Sequence, residues 1–255
     1  ATVITLNEED IIERCLTSIK EIADEIIVID SGSTDKTVEI AKKFGAKVFY
    51  RKFDNYANQK NFAAEKSNGE WLLSLDADEE ISPELASEIL SVLATYNSQP
   101  TTHNQLVAYS IPRKNIIFGK LIRYTRWQPE LDRHIWLWRK GKGRWVGEVH
   151  EEVVVDGEVG RLVNPKIHYQ YETVSDFLNM MNRYSEIDAG EIIKKRVRFS
   201  YFQLIFQPIY NFLVRYFYRL GFLDGWRGFV LSCLMAVYHL ELWVKVWEKE
   251  RGDEK

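Results

Sequence analysis

Leu72-Leu73-Ser74-Leu75-Asp76-Ala77-Asp78-Glu79 is an apolar run that ends on two aspartates separated by one residue. With Trp71 before it, the run reads as a strand from Trp71 to Asp76 entered through the Asn68-Gly69 turn, and Pro83 beyond it as the first-turn proline of a helix reaching about Tyr96. In open α/β sheets ligands bind beyond the carboxyl ends of strands, which is where Asp76 and Asp78 emerge. Hard cations such as Mg²⁺ or Mn²⁺ choose oxygen ligands and complete their shell with substrate phosphate oxygens, so the pair suits a metal-diphosphate complex. The same acids could instead serve only to cap the helix that follows, and the surrounding sequence has to decide.

Toward the N-terminus, short β-rich runs alternate with helical patterns, the signal of strand-helix-strand units and a mainly parallel sheet. Thr2 to Leu6 reads as a strand, and Asn7 as the cap of a helix over 8–22 with Ile11, Ile12, Leu16, Ile19 and Ile22 at helical spacing. Glu25 to Asp30 is a continuous apolar strand, suited to burial on both faces. Ser31-Gly32-Ser33 breaks the chain before a helix from Ser33 or Thr34 to Phe44, stopped by Gly45. Lys47 to Arg51 is the next strand and Tyr56 to Ser67 the next helix.

Beyond the polar segment Asn97 to Asn104 the pattern changes to strands and turns: Leu106 to Arg113, His134 to Arg139, and Val153 to Val163 around an Asp156-Gly157 turn. From Val174 onward it is helical, divided into roughly three helices by Pro208 and by Gly221, Gly225 and Gly228. Ile192 to Leu223 holds six basic residues, no acidic ones and many aromatics, in a chain whose formal net charge is −3. That composition fits a helical surface resting on anionic lipid, with a solvated basic face as the plainer alternative and bases of a nucleic acid stacked on the aromatics as a third.

The overall charge gives no general attraction to nucleic acid, and none is expected as a partner. Cys15 and Cys233, far apart, form neither a disulfide framework nor a metal spacing and read as reduced core residues. No basic stretch followed by an apolar core opens the sequence, so a cytoplasmic location is expected. Trp226 to Trp247, the most apolar stretch, is interrupted by Arg227, His239, Glu241 and Lys245, which disfavours a spanning helix.

Thr5-Leu6-Asn7-Glu8-Glu9, Ile27-Val28-Ile29-Asp30-Ser31-Gly32-Ser33-Thr34-Asp35 and Leu75-Asp76-Ala77-Asp78 occur in this order, and together they resemble the family 2 glycosyltransferases, inverting enzymes with the GT-A fold. The resemblance covers residues 2 to about 160. Arg133 to Arg139 with Lys140-Gly141-Lys142-Gly143-Arg144-Trp145, then Val149-His150-Glu151 and Gly221-Phe222-Leu223-Asp224-Gly225-Trp226-Arg227-Gly228-Phe229, resemble the branch that includes lipopolysaccharide core β-glucosyltransferases of the WaaE type. The resemblance implies an α/β, Rossmann-like GT-A domain over 1–172, with a mixed, mainly parallel sheet flanked by helices. Its nucleotide-binding half would span about 1–100 and its acceptor half about 101–172, followed by a C-terminal helical region over 173–255, which its basic and aromatic composition would associate with the inner face of the cell membrane.

The same resemblance implies a UDP-sugar donor, glucose in particular, a lipid-linked saccharide acceptor such as lipopolysaccharide core, and Mg²⁺ or Mn²⁺. Thr5, Asn7 and Glu8 would line the base and ribose pocket, Asp30 would accept from the uracil N–H, and Lys60 would stand near the nucleotide. Asp76 and Ala77 would contact the donor, and Asp78 with Asp76 would hold the cation. Many relatives carry two adjacent acids where this chain has Asp30-Ser31, so one acidic contact is lacking, and they carry a few residues before the first strand.

Glycosyl transfer needs a carboxylate base to take the acceptor hydroxyl's proton during attack on the anomeric carbon. The candidates cluster in Gly147-Glu148-Val149-His150-Glu151-Glu152, where strand alternation sets Glu148, His150 and Glu152 on one face and Glu151 on the other. The resemblance instead favours Glu151 as base, with Glu152 next and His150 as a phosphate donor or further metal ligand. Arg133 and Arg139 suit phosphates or an anionic acceptor, or salt bridges to neighbouring acids. A nucleotidyltransferase would show a glycine-rich basic loop where this chain has the acidic Asn7 to Asp10, an inactive membrane adaptor would need no site acids, and no P-loop is present for a kinase.

Overall fold

The computed structural model describes residues 1–98, 106–147 and 151–253. Along the chain run β1 (Thr2–Thr5), α1 (Ile12–Ile19), β2 (Ile27–Asp30), α2 (Thr37–Lys43), β3 (Lys47–Tyr50), α3 (Tyr56–Lys66), β4 (Trp71–Asp76), β5 (Glu79–Glu80) and α4 (Pro83–Ser98). Then follow β6 (Leu106–Ile117), β7 (Lys120–Leu121), β8 (Arg133–Arg139), β9 (Gly143–Val146), β10 (Glu152–Val155), β11 (Glu158–Arg161) and β12 (Lys166–Tyr171). The last helices are α5 (Val174–Lys194), α6 (Tyr201–Leu213), continued by a π-helical turn over Val214–Tyr218, and α7 (Trp226–Asp253). They fall into two compact units, Ala1–Lys114 with Pro129–His168 and Asn115–Gln128 with Tyr169–Lys255. The helical region therefore takes with it a segment from the middle of the chain, which a single division after residue 172 did not foresee.

In the first unit the sheet runs β3-β2-β1-β4-β8-β6, parallel from β3 to β4 and antiparallel from β4 through β8 to β6. Every residue of β2 is buried: Ile27 and Ile29 join Ala63 and Phe62 of α3 on one face, while Val28 joins the core formed with α1 and Ala41 on the other. Burial on both faces is what its unbroken apolar run requires. Asn7 does not cap α1. It adopts φ 56° and its side chain accepts from the Thr34 N–H at 2.8 Å, tying the loop after β1 to the loop after β2, so the helix begins four residues later than its spacing suggested.

The Asp156-Gly157 turn does not make a hairpin. β10 pairs antiparallel with β9, and β11 pairs parallel with β6. Gly157 carries the chain between these partners at φ 143°, so close to Val107 that an added Cβ would lie 2.7 Å from its methyl carbons. The strands β9 and β12 had no distinct sequence signal.

In the second unit α5 and α7 interlock through Phe177, Met181 and Ala189 against Leu231, Met235, Leu242 and Val246. A capping box at Thr173 and Asp176 starts α5. The Gly221 to Gly228 motif serves close packing: a Cβ on Gly228 would overlap the Gly221 carbonyl at 1.8 Å, and Asp224 accepts from the Arg123 and Tyr124 N–H groups at 3.1 and 2.9 Å. By length and composition Trp226–Arg251 suffices to cross a membrane, contrary to the expectation from its interrupted sequence. Its polar residues are engaged inside the unit, with Lys245 bonded to the Asn182 carbonyl at 2.7 Å and Glu241 to the Ser185 hydroxyl at 3.0 Å.

Candidate active site

β1, β2 and β4 run parallel and end level, with Thr5 beside Asp30 and Ile4 beside Asp76, so their carboxyl ends gather Thr5, Asp30 and Asp76. Asp30 is buried, and its carboxylate accepts from the Gly32 N–H at 2.9 Å and the Ser33 N–H at 3.1 Å, which folds the loop that follows. Ser31, standing where a second acid was lacking, accepts from Gln59, a fully buried side chain that also takes a bond from Arg51 at 2.7 Å. The Thr5 hydroxyl is buried with no protein partner among the described residues. Glu8 enters through its backbone N–H, bonded to Thr37 at 2.7 Å. Burial, then the charges of Asp78, Asp35 and Asp76, pushes its carboxyl up to about 7.

Lys60 organises the centre. Helix α3, capped by Asn55, delivers it inward, 2% exposed, with Nζ 3.0 Å from Asp76 Oδ1 and 2.8 Å from Glu151 Oε1 and over the Trp145 ring at 4.5 Å. A buried lysine ordinarily loses its charge; here burial acts in that direction, but Asp76 and Glu151 outweigh it and hold the pKa above its usual value. Asn61, next on α3, exchanges two 2.9 Å bonds with the Trp145 backbone and fixes β9 against the helix. Glu151 thereby shares Lys60 with Asp76, a residue far earlier in the chain. Glu152 points to solvent and lies off this cluster, while Glu148 and His150 lie outside the described residues.

Asp78 Oδ2 lies 3.1 Å from His168 Nε2, and its Oδ1 is buried without a protein partner among the described residues. An orphaned carboxylate oxygen beside an imidazole offers a divalent cation candidate ligands, its shell to be completed by oxygens of the donor. No three His, Cys, Asp or Glu side chains among the described residues converge into a ready cage. Behind the pair, Glu79 accepts from the Asp76 N–H at 3.0 Å and is bridged to the fully buried Lys166, which lies on the Trp136 ring. Arg113 stands 3.5 Å from Glu79 and grips Asp132 through two bonds of 2.9 and 3.0 Å. Burial tends to raise the Glu79 carboxyl, yet Lys166, His168 and Arg113 hold it below its ordinary value; burial in turn lowers Lys166 to about 8.

The two arginines read from the sequence do not join this cluster. Arg133 gives its guanidinium to the Ser110 and Leu162 carbonyls at 3.0 and 2.8 Å. Arg139 is paired with Trp71 at the opposite end of β4, bonds Glu70 at 3.2 Å and stacks over Tyr96, because β8 runs antiparallel to β4 and carries it away from Asp76. Ala77, 5% exposed, packs in the core between the two aspartates. His168, Lys166, Arg113 and Asp132 were missed: no motif surrounds them in the sequence, and only the contacts of His168 with Asp78, of Lys166 and Arg113 with Glu79, and of Asp132 with Arg113 mark them.

The glycosyl transferase family 2 model matches residues 1–137. A glycosyltransferase of Rickettsia typhi is 35% identical over 92% of this chain and 81% of its own length. The lipopolysaccharide core biosynthesis glycosyltransferase LpsC of Rhizobium meliloti is 29% identical over 98% of this chain and 92% of its own. Among solved structures, S. aureus TarS 1-349 in complex with UDP-GlcNAc superposes over 98% of this chain and 91% of that one, at 13% identity and a TM-score of 0.47.

Proposed function

Because the chain belongs to the glycosyl transferase family 2, we propose that its acid cluster transfers a hexose, glucose in particular, from a UDP-sugar to a lipid-linked saccharide at the cytoplasmic face of the membrane, with inversion at the anomeric carbon. The observation that carries this reading is the reach of Glu151 to Lys60, 2.8 Å away, at the strand end that holds Asp76 and Asp78. A carboxylate brought from a distant segment to the donor end of the sheet is what an attacking hydroxyl needs. The acceptor supports its own part of the reading through LpsC, named for lipopolysaccharide core biosynthesis.

Asp30, Thr5, Asn7 and Glu8 hold the uridine, Asp30 through the lone pairs its loop bonds leave over. Glu151 takes the proton of the acceptor hydroxyl as its oxygen bonds to the anomeric carbon, while the bond from that carbon to the diphosphate breaks and its electron pair leaves with UDP. Lys60 holds Glu151 at its post through the 2.8 Å ion pair. Asp78, with His168 and Asp76 beside it, would hold a Mg²⁺ or Mn²⁺ that offsets the charge on the leaving diphosphate. The aromatic wall of Trp136 and Trp145, 5.5 Å apart, flanks Lys60 and limits access of water to the pair.

A panel of nucleotide sugars, each with Mn²⁺ or with EDTA, tests this by thermal shift and by release of the diphosphate. UDP-glucose is expected to stabilise the protein and turn over only with the metal. Turnover undiminished in EDTA would remove the cation from the scheme, and silence toward every UDP-sugar would remove the donor.

A further inference from the structure

α6 carries no charge. From Phe199 to Val214 there is not one Asp, Glu, Lys, Arg or His, yet the helix is not enclosed. Tyr201, Ile205, Ile209, Leu213 and Phe217 follow at intervals of four, in a row that winds slowly about the helix, and are 74, 64, 55, 47 and 55% exposed, with Phe202, Phe206 and Tyr210 beside it also exposed. The opposite side is occupied: Leu204 joins the core of the second unit, and Phe212 packs edge-on to Phe229 at 5.9 Å. Solvated helices of soluble proteins show the reverse pattern, with their polar side outward. An apolar row of this length marks an interaction surface.

We propose that this row, Tyr201 to Phe217, lies in the plane of an anionic lipid bilayer and inserts into its interfacial layer. The proposal takes from the function above only that the acceptor is membrane-borne. Charge complementarity chooses the occupant. Lys194, Lys195, Arg196 and Arg198, all exposed, precede the row and Arg219 follows it, with no acidic residue from Ile192 to Leu223. A second copy meeting the same face by two-fold symmetry would bring like-charged flanks together, whereas anionic head groups answer them at both ends. Tyr201 and Tyr218, 74 and 75% exposed, bracket the row with rings suited to the head-group level.

The structure also alters the character of the contact. Electrostatics alone would need most of the six basic residues free and on one side, but Arg215 is buried, bonds the Thr125 carbonyl at 2.7 Å and lies over Trp127, and Lys194 is bridged to Glu191. Apolar insertion supplies the hold, and the remaining charges select the anionic surface.

The test is flotation of the full chain with phosphatidylglycerol-phosphatidylcholine vesicles at low and high salt, and with phosphatidylcholine alone. Binding to the anionic vesicles is expected to survive high salt in large part and to be weaker on phosphatidylcholine. The double variant Ile205→Asp with Ile209→Asp should lower partitioning by about tenfold or more, because two side chains leave the apolar layer. Its thermal midpoint and its donor hydrolysis in solution should stay as in the parent, since both positions are exposed and lie outside the acid cluster, so vesicle binding and sugar transfer fail separately. In Ile209→Trp, brominated lipid should quench emission beyond the quenching of the parent's eight tryptophans. Absence of flotation at low salt, full release by high salt, or no added quenching would each overturn insertion. A parent dimer that the double variant splits, with no flotation, would assign the row to a second copy.

Discussion

The two units depart from the ordinary distribution of residues in opposite directions. The first buries charge: Lys60, Glu79 and Lys166 are at most 2% exposed, residue types almost never fully buried unless paired. The second leaves large apolar side chains in the open along α6, where charges are missing altogether. Each departure is unfavourable for stability by itself, since buried ions lose hydration and exposed apolar area orders water. The difference teaches where to look for function. In the first unit the ions hold one another in place at a strand end, and among the described residues Asp78 Oδ1 and the Thr5 hydroxyl are left there without a protein partner; in the second the unsatisfied apolar surface faces outward along α6.

That contrast can be broken by substitution. The largest effect is expected of Asp78→Ala, which should cut transfer by roughly a thousandfold or more, several kcal/mol of lost charge stabilisation, while the thermal midpoint stays close to the parent's. Metal-dependent transfer at the parent's rate would show that the cation sits elsewhere. Lys166→Met should cost about 3–5 kcal/mol of stability in chemical denaturation, the usual effect of leaving a buried partner, here Glu79, uncompensated. Adding Glu79→Gln should then restore part of that loss; a double variant as unstable as the sum would mean the two do not act as a pair.

Glu151→Gln should bind UDP as the parent does and lose transfer by about a hundredfold, the share of a general base. Normal turnover there, with loss in Glu152→Gln, would shift the base to the residue that the structure leaves in solvent. The smallest effect is expected of Glu8→Gln. Its folded pKa, about 7, lies above the ordinary 4.5, so its stabilising contribution is complete below pH 4.5 and lost as pH rises through 7. In EDTA the variant should therefore gain about 2–4 °C in thermal midpoint at pH 8, as ~1 kcal/mol does in a chain of this size, and nothing at pH 4. An equal gain at both values would trace the effect to packing.

Much of the first unit was legible because its signals are local. The apolar run of β2, the strand from Trp71 to Asp76 and the proline that opens α4 each depend on neighbours within a few residues, and the family motifs lie on those same strand ends. Asp76, Asp78 and Asp30 follow from strand direction alone, since parallel strands present their last residues at one edge. Side-chain direction in an irregular segment has no such rule. Alternation set Glu151 apart from Glu148, His150 and Glu152, and only the tertiary contact shows that Glu151 shares Lys60 with Asp76. The same holds for Arg139, sent to the far end of β4 by an antiparallel pairing, and for Asp156-Gly157, whose hairpin signal gave way to strands with other partners. In the tail, composition by itself determined that basic and aromatic residues are mixed without acids. Which of them face outward was decided by packing, because α6 buries Asn211, the last of its polar row Gln203, Gln207 and Asn211, and leaves apolar side chains outside, the reverse of what its sequence pattern suggests.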